Sequence, residues 1–267
     1  GRNRAGDRLR GAGPSLNPDL ELAERAARAA GAVLLGYYGR EPEGLDSKSS
    51  DTDMVSDADR EAERAIRELL EAERPQDGML AEESSESRGD SDRRWIVDPL
   101  DGTINFLYGF PAWAVSIALE DRDGLAVGVV HSPVHEETFC AARGEGARLG
   151  ERPLRVREGG GLGRAMVATG FSYEAERRAE QAEVIGRVLP LVRDIRRAGA
   201  AALDLAWVAA GRVDAFYERG LNAWDLAAGQ LLVEEAGGAV LALEGTPPGV
   251  IAASGPELLE ALAELVE

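Results

Sequence analysis

The sequence predicts a mixed α/β fold (α+β in its first half, regularly alternating in its second), and three observations carry that expectation. Two helix-period segments follow a polar start. Short β-favouring runs separated by turn residues fill the stretch from Gly78 to Val156. From Ala165 onward strand-like and helix-like stretches alternate, the pattern of a layered α/β structure.

Residues 1–16 hold four arginines and four glycines with little apolar content, and read as a flexible tail. Asn17 is a helix N-cap with Pro18 at the first position and Asp19 and Glu21 in the first turn. Leu20, Ala23, Ala27, Ala30 and Leu34 share one face, and Gly39 is a stop. A polar loop, 47–53, comes next. Ser56 and Asp59 have capping-box spacing, and a second helix to Arg74 buries Ala62, Ala65, Ile66, Leu69 and Leu70 before Pro75. The alternate acids before it fail as a calcium loop: Val55 holds a ligand position and the sixth place lacks glycine.

Gly78–Ala81 reads as a short strand delivering Glu82 and Glu83. Trp113–Glu120 and Leu125–His131 form a hairpin across Asp121-Arg122-Asp123-Gly124. Strands follow at 137–141 and 148–156, with Gly144-Glu145-Gly146 as a turn. Gly159-Gly160-Gly161 marks a seam, giving halves 17–158 and 159–267 that form one catalytic unit. The second half predicts strands at 165–169, 194–197, 213–217, 240–243 and 250–253. Its helices fall at 175–189, 200–210 and 224–236, with a last one from Pro256.

The chain has 48 acidic against 30 basic residues, a net charge of −18. That balance argues against nucleic acid and anionic membrane surfaces, which need basic patches. A single cysteine, Cys140, excludes an intrachain disulfide, and no apolar run is long enough to span a bilayer. The expected location is cytoplasmic. Lys48 is the only lysine among many arginines, which reads either as a need for a compact ammonium that arginine does not mimic or as a chance survivor on an exposed loop.

The stretch Trp95-Ile96-Val97-Asp98-Pro99-Leu100-Asp101-Gly102-Thr103 carries the chemistry. A buried strand ends at Asp98-Pro99, because proline gives no N–H to a ladder. Asp98 and Asp101 then sit on a turn beside the open amides of Gly102-Thr103. Hard oxygens next to anion-binding amides suit a divalent cation holding phosphate. Asp225 opens a later helix, and Glu218 ends the strand before it, so both emerge at one edge. Neither histidine nor the cysteine belongs to these stretches, which argues against zinc.

Three motifs together resemble the magnesium-dependent, lithium-sensitive inositol monophosphatases: Glu82-Glu83-Ser84; Asp98 to Thr103 with Asn105-Phe106; and Trp224-Asp225 with Glu235-Ala236-Gly237-Gly238. The resemblance runs from Asn17 to the end. It implies a layered αβαβα sandwich of the sugar-phosphatase type, a homodimer, and two or three Mg2+ ions. It implies that Glu82, Asp98, Asp101, Asp225 and the Leu100 carbonyl bind metal, with Lys48 near the site. Asp101, Gly102, Thr103, Ala201, Glu218 and Asp225 would meet a small phosphorylated polyol or sugar. Asp59 would bond the Thr103 hydroxyl, and Thr103, Asp59, Glu82 and Lys48 would serve catalysis. Ala81, Ile104 and Ala200 depart from the family pattern, and the last two bear on substrate contacts.

The expected function is therefore hydrolysis of a phosphate monoester, inositol monophosphate first, by metal-activated water. The alternatives are fructose bisphosphate, histidinol phosphate or a phosphoadenosine nucleotide. A non-catalytic regulatory protein on the same scaffold is the reading from another class.

Overall fold

The computed structural model describes residues 17–39, 46–47, 54–55 and 57–267. The expected tail at 1–16, the loop residues 48–53 with Lys48, and Ser56 lie outside the described residues.

The first helix, α1 (Pro18–Tyr37), starts as its sequence dictates. Asn17 Oδ1 accepts from the amides of Asp19 and Leu20, both at 3.2 Å. The strands β1 (Asp46–Ser47) and β2 (Met54–Val55) form a small antiparallel ribbon. The second helix, α2, spans Asp57–Glu73.

A seven-stranded sheet follows. It comprises β3 (Gly78–Ala81), β4 (Arg94–Asp101), β5 (Ala114–Asp121), β6 (Gly124–Ser132), β7 (Glu137–Ala142), β8 (Gly146–Leu149) and β9 (Arg152–Pro153), in that spatial order. The β3/β4 pair is parallel and every later pair antiparallel. The expected hairpin at 121–124 is present, with Asp121 opposite Gly124 and Gly124 at φ 104°. The strand expected at 148–156 instead breaks at Gly150, whose φ of 58° turns the chain.

The second half contributes β10 (Met166–Thr169), α4 (Ala175–Val188), β11 (Asp194–Arg196), α5 (Ala201–Ala209), β12 (Ala215–Arg219), α6 (Ala223–Glu235), β13 (Ala239–Leu243), β14 (Gly249–Ala253) and α7 (Pro256–Val266). Its five strands run in the order β11-β10-β12-β14-β13, the first three parallel and the last two antiparallel to their neighbours. Two short helical pieces were not foreseen: α3 (Thr103–Leu107), after the central motif, and a 3₁₀ turn at Leu162–Arg164.

Alternation along the strands sorts side chains into three cores. Trp95, Val97, Val115, Ile117 and Leu119 pack under α1 and α2. Ile96, Ala114 and Ala118 face the other way, onto α5 and α6. The reverse face of α5 and α6 meets Phe216, Val250 and Ala252 of the second sheet. The far side of that sheet packs Val167, Ala215 and Ile251 against α7 and the end of α4. The layers are thus helix, sheet, helix, sheet, helix, as the resemblance implies. The composition of α5 fits its central place: all but one of its residues are buried, so it has no polar face to offer water.

The middle layer approaches the first sheet closely because the facing residues are small. A Cβ on Gly128 of β6 would lie 2.9 Å from the Ala228 carbonyl oxygen of α6. At the far end of α6, the Glu235 carboxylate accepts from the amides of Gly144 and Gly146 at 2.7 and 2.8 Å. The Gly-Glu-Gly turn is therefore structural. We expect Gly128→Ala to push α6 off the sheet at a cost of about 1–3 kcal/mol. The thermal midpoint should fall by at least about 2 °C. An unchanged midpoint would show that the contact is loose.

Candidate metal and phosphate site

The site forms where β4 ends, and an irregularity in that strand creates it. Asp98 pairs with Ser116 and Asp101 with Ala114, so three steps along β4 match two along β5. In a regular strand, residues 98 and 101 would point to opposite faces. The extra residue restores them to one face. Pro99 sits inside the bulge, where a missing N–H costs no ladder bond. The sequence reading placed these aspartates on a turn; they lie instead within a bulged strand.

Both carboxylates are buried and fixed. Asp98 Oδ1 accepts from the Leu100 amide at 3.0 Å. Asp101 accepts from the first amides of α5, Ala201 to Oδ1 at 3.2 Å and Ala202 to Oδ2 at 2.8 Å. Asp225, in the first turn of α6, accepts from the Asn222 amide at 2.6 Å. Ser116, the partner of Asp98 in register, donates to the Trp224 carbonyl at 3.1 Å and so ties the start of α6 to the first sheet. The result is that Asp98, Asp101 and Asp225 offer oxygens all within 4.8 Å of one another.

Glu82 follows β3, which runs parallel to β4, and its amide donates to Val97 O at 3.2 Å. It lines the same cleft as the aspartates, whereas the Glu83 amide is bound by Glu63 at 2.9 Å. Gly102 holds φ 91°, and a Cβ there would lie 2.9 Å from the Ala112 carbonyl oxygen, so only glycine fits. Asn105 donates to Ala112 O at 2.6 Å and Ala198 O at 2.8 Å, linking this loop to the approach of α5.

Two expected contacts differ. The Thr103 hydroxyl donates to the Leu100 carbonyl at 3.1 Å rather than to Asp59, because the tight turn after β4 places that carbonyl three residues upstream and within reach. Asp59 is nonetheless buried close by, near enough that its charge acts on Asp98. Ala201 lines the cleft, but its amide is committed to Asp101, so the contact it makes is with a carboxylate of the protein. Lys48 lies outside the described residues.

Glu218 lies within β12 rather than at its end, beside Gly170, the residue that follows the neighbouring strand β10. A Cβ on Gly170 would fall 2.0 Å from Glu218 Oε2. The cleft, about 400 Å³, also takes in Phe171, Arg177 and Arg197. Sequence reasoning missed these four residues. No local motif announces them; Gly170 and Phe171 follow β10, Arg197 follows β11 and Arg177 lies on α4, and the side-by-side pairing of β11, β10 and β12 brings these ends to Glu218.

Burial and mutual repulsion dominate the electrostatics. Burial, then the charges of Glu82, Asp101, Asp225 and Asp59, raise Asp98 well above the carboxylate range. Burial and then Asp225 push Asp101 up to about 8, against the lowering effect of the α5 amides. Burial and Asp225 push Glu218 up to about 8, and burial lifts Asp225 to about 6. Four acids crowded into one buried place need positive charge to ionise together. Their donors are all oxygen, and neither histidine is among the residues lining the cleft. That set fits a hard divalent cation such as magnesium.

An αβαβα sandwich closed over an acidic, all-oxygen cleft is the architecture of a class of metal-dependent phosphatases. The chain belongs to the inositol monophosphatase family, whose pattern matches residues 15–267. It is 41% identical over 254 residues to the Nus factor SuhB of Escherichia coli K12, covering 92% of this chain and 95% of that one. Among solved structures, it resembles the extragenic suppressor protein suhB of Bartonella henselae with a TM-score of 0.86 and 41% identity, covering 92% of this chain and 97% of that one. The inositol monophosphatase of Anabaena superposes with a TM-score of 0.82 at 37% identity, over 94% and 96% of the two chains. No described helix is long and apolar enough to cross a membrane.

The raised carboxyls set the sign of a pH effect. Asp101 and Glu218 titrate near 8 in the folded chain, against ordinary values of 3.8 and 4.5. Between those limits the folded state holds more protons than the unfolded one, so stability falls as pH rises through 8. In chelator, the protein should melt lower at about pH 9 than at about pH 6, and magnesium should remove most of that difference. Melting curves indifferent to magnesium at both pH values would rule the cluster out as a cation site.

Proposed function

We propose that this protein is a magnesium-dependent phosphate monoester hydrolase and that its substrate is inositol monophosphate. The observation that carries the reading is the convergence of Asp98, Asp101 and Asp225, from β4 and α6, within 4.8 Å. It occurs at a cleft whose floor includes Gly102 and Thr103. Family membership supports phosphatase chemistry in general.

In this reading Glu82, Asp98, Asp101, Asp225 and the Leu100 carbonyl hold two or three magnesium ions. Bound there, magnesium supplies the charge that a phosphate dianion requires and lowers the pKa of water. The protein's own groups do the rest. Gly102 presents its backbone to the phosphate, since a side chain there has no room. Thr103 releases the Leu100 carbonyl and turns its hydroxyl to orient the attacking water, with buried Asp59 as the acceptor of its proton. Lys48 adds a compact positive charge. Glu218 accepts a hydroxyl of the polyol. The two halves of the chain act as one catalytic unit, because β4 supplies Asp98 and Asp101 while α6 supplies Asp225. The same reading makes the protein a cytoplasmic homodimer inhibited by lithium.

A second reading has its own support. The Escherichia coli relative carries the name Nus factor, which favours a regulatory role on this scaffold. Against it, every carboxylate of the family motifs is present here.

A phosphate-release screen in magnesium over inositol monophosphate, fructose bisphosphate, histidinol phosphate and a phosphoadenosine nucleotide separates these readings. We expect inositol monophosphate to be the best substrate. A better rate on another ester reassigns the substrate, and no release from any of them favours the regulatory role. Thr103→Ala should lower kcat by about 10²–10⁴-fold with magnesium affinity nearly intact, and Thr103→Ser should keep much of the rate. If Thr103→Ala loses thermal stability but not turnover, the hydroxyl serves only the turn.

A further inference from the structure

The lining of the cleft carries a cation that the chemistry above does not use. Arg197, ahead of α5, lines the cleft together with Glu218. Its guanidinium lies over the Phe171 ring, 5.9 Å from the centroid. Gly199 leaves it space, since a Cβ there would stand 2.4 Å from Nη1. Neighbouring arginines are committed: Arg196 pairs with Asp194 at 2.6 Å, Arg177 with Glu174 at 3.0 Å, and Arg219 donates to the carbonyls of Glu244 and Pro247. Arg197 has no acceptor among the described residues. It is a guanidinium held by packing with its N–H groups unspent.

Its charge nonetheless reaches the acids of the cleft. Burial pushes Glu218 and Asp204 up, and Arg197 pulls both back down. Glu218 and Arg197 therefore face a common space without closing on each other as an ion pair. A group that both donates and accepts satisfies the two at once, and a hydroxyl is such a group. A second anion would gain Arg197 but meet Glu218 and buried Asp204. An acid and a base presented side by side suit neighbouring hydroxyls on a ring.

We propose that Arg197 is a specificity-determining residue that reads the substrate's polyol: Glu218 accepts from one hydroxyl while the Arg197 fork donates to the oxygen beside it. This rests on the cleft being the substrate site, as proposed above, and adds the vicinal-diol requirement.

The test compares inositol monophosphate with cyclohexyl phosphate, the same ring without its hydroxyls, in magnesium. With Arg197→Gln, KM for inositol monophosphate should rise about tenfold or more with kcat little changed, while KM for cyclohexyl phosphate stays as in the wild type. Arg197→Lys, which keeps the charge and loses the fork, should recover only part of the loss. Turnover of cyclohexyl phosphate doubles as the control for folding. Unchanged KM for inositol monophosphate in a variant that still hydrolyses both esters overturns this inference alone. A rise confined to fructose bisphosphate also overturns it, in favour of a second-anion subsite. If the wild type hydrolyses neither ester, the phosphatase reading fails and this one with it.

Discussion

Two backbone amides at the start of α5 grip the Asp101 carboxylate, and much of the molecule's arrangement hangs on that contact. The amides at a helix N-terminus need acceptors, and a carboxylate at that end is favoured by the helix dipole. Here the acceptor comes from a different sheet. The bond therefore fixes the middle layer against β4, and it aims an acid that would otherwise be repelled by Asp98 and Asp225. The rest of the cleft is arranged relative to that anchor: Gly102 turns directly after it, and Asn105 binds the segment that leads into α5.

The central layer explains the choice of small residues. Two helices lying between two sheets must be apolar on nearly every side, and they must be slim. Ala114, Ala118 and Gly128 on the sheet, and Ala227, Ala228 and Gly229 on α6, supply the thinness. A Cβ on Gly229 would lie 2.5 Å from the Leu205 side chain, so the Leu205 side chain of α5 packs directly onto the α6 backbone. Close packing of this kind is rigid, and rigidity is what a cluster of like charges requires if its geometry is to persist.

What the sequence reveals of this follows from where each signal resides. Local signals were legible: the Asn17 cap, the Gly124 hairpin and the strand–helix alternation after Ala165 depend on neighbours in the chain. The family motifs pointed to Asp98, Asp101 and Asp225, whose oxygens converge, and to Glu82, which lines the same cleft. Properties created by pairing were not. The bulge between Asp98 and Asp101 exists only against β5, so the pair reads in isolation as a turn. The extension of β12 that takes Glu218 inside the strand comes from its partner β14, which pairs Val250 with Glu218 and Gly249 with Arg219. Arg197, Phe171 and Gly170 are far apart in character and carry no motif. They meet because parallel strands end at the same edge. The Thr103 hydroxyl found the Leu100 carbonyl because a carbonyl already in the same turn is the nearer acceptor.

The clip between Glu235 and the turn at Gly144–Gly146 gives α6 a further property. Its 13 residues span about 20 Å. One end carries Asp225, tethered through Trp224 to β5, and the other is fastened to the β7–β8 turn. The helix is a strut pinned at both ends to one sheet. A hairpin loop normally tolerates insertion, since its length matters only to its own strands. This one cannot grow or shrink freely, because the position of its two amides sets the axial seat of a helix whose opposite tip is an acid of the cleft. Length variation in a surface turn far from the chemistry would be transmitted there as a displacement along the strut.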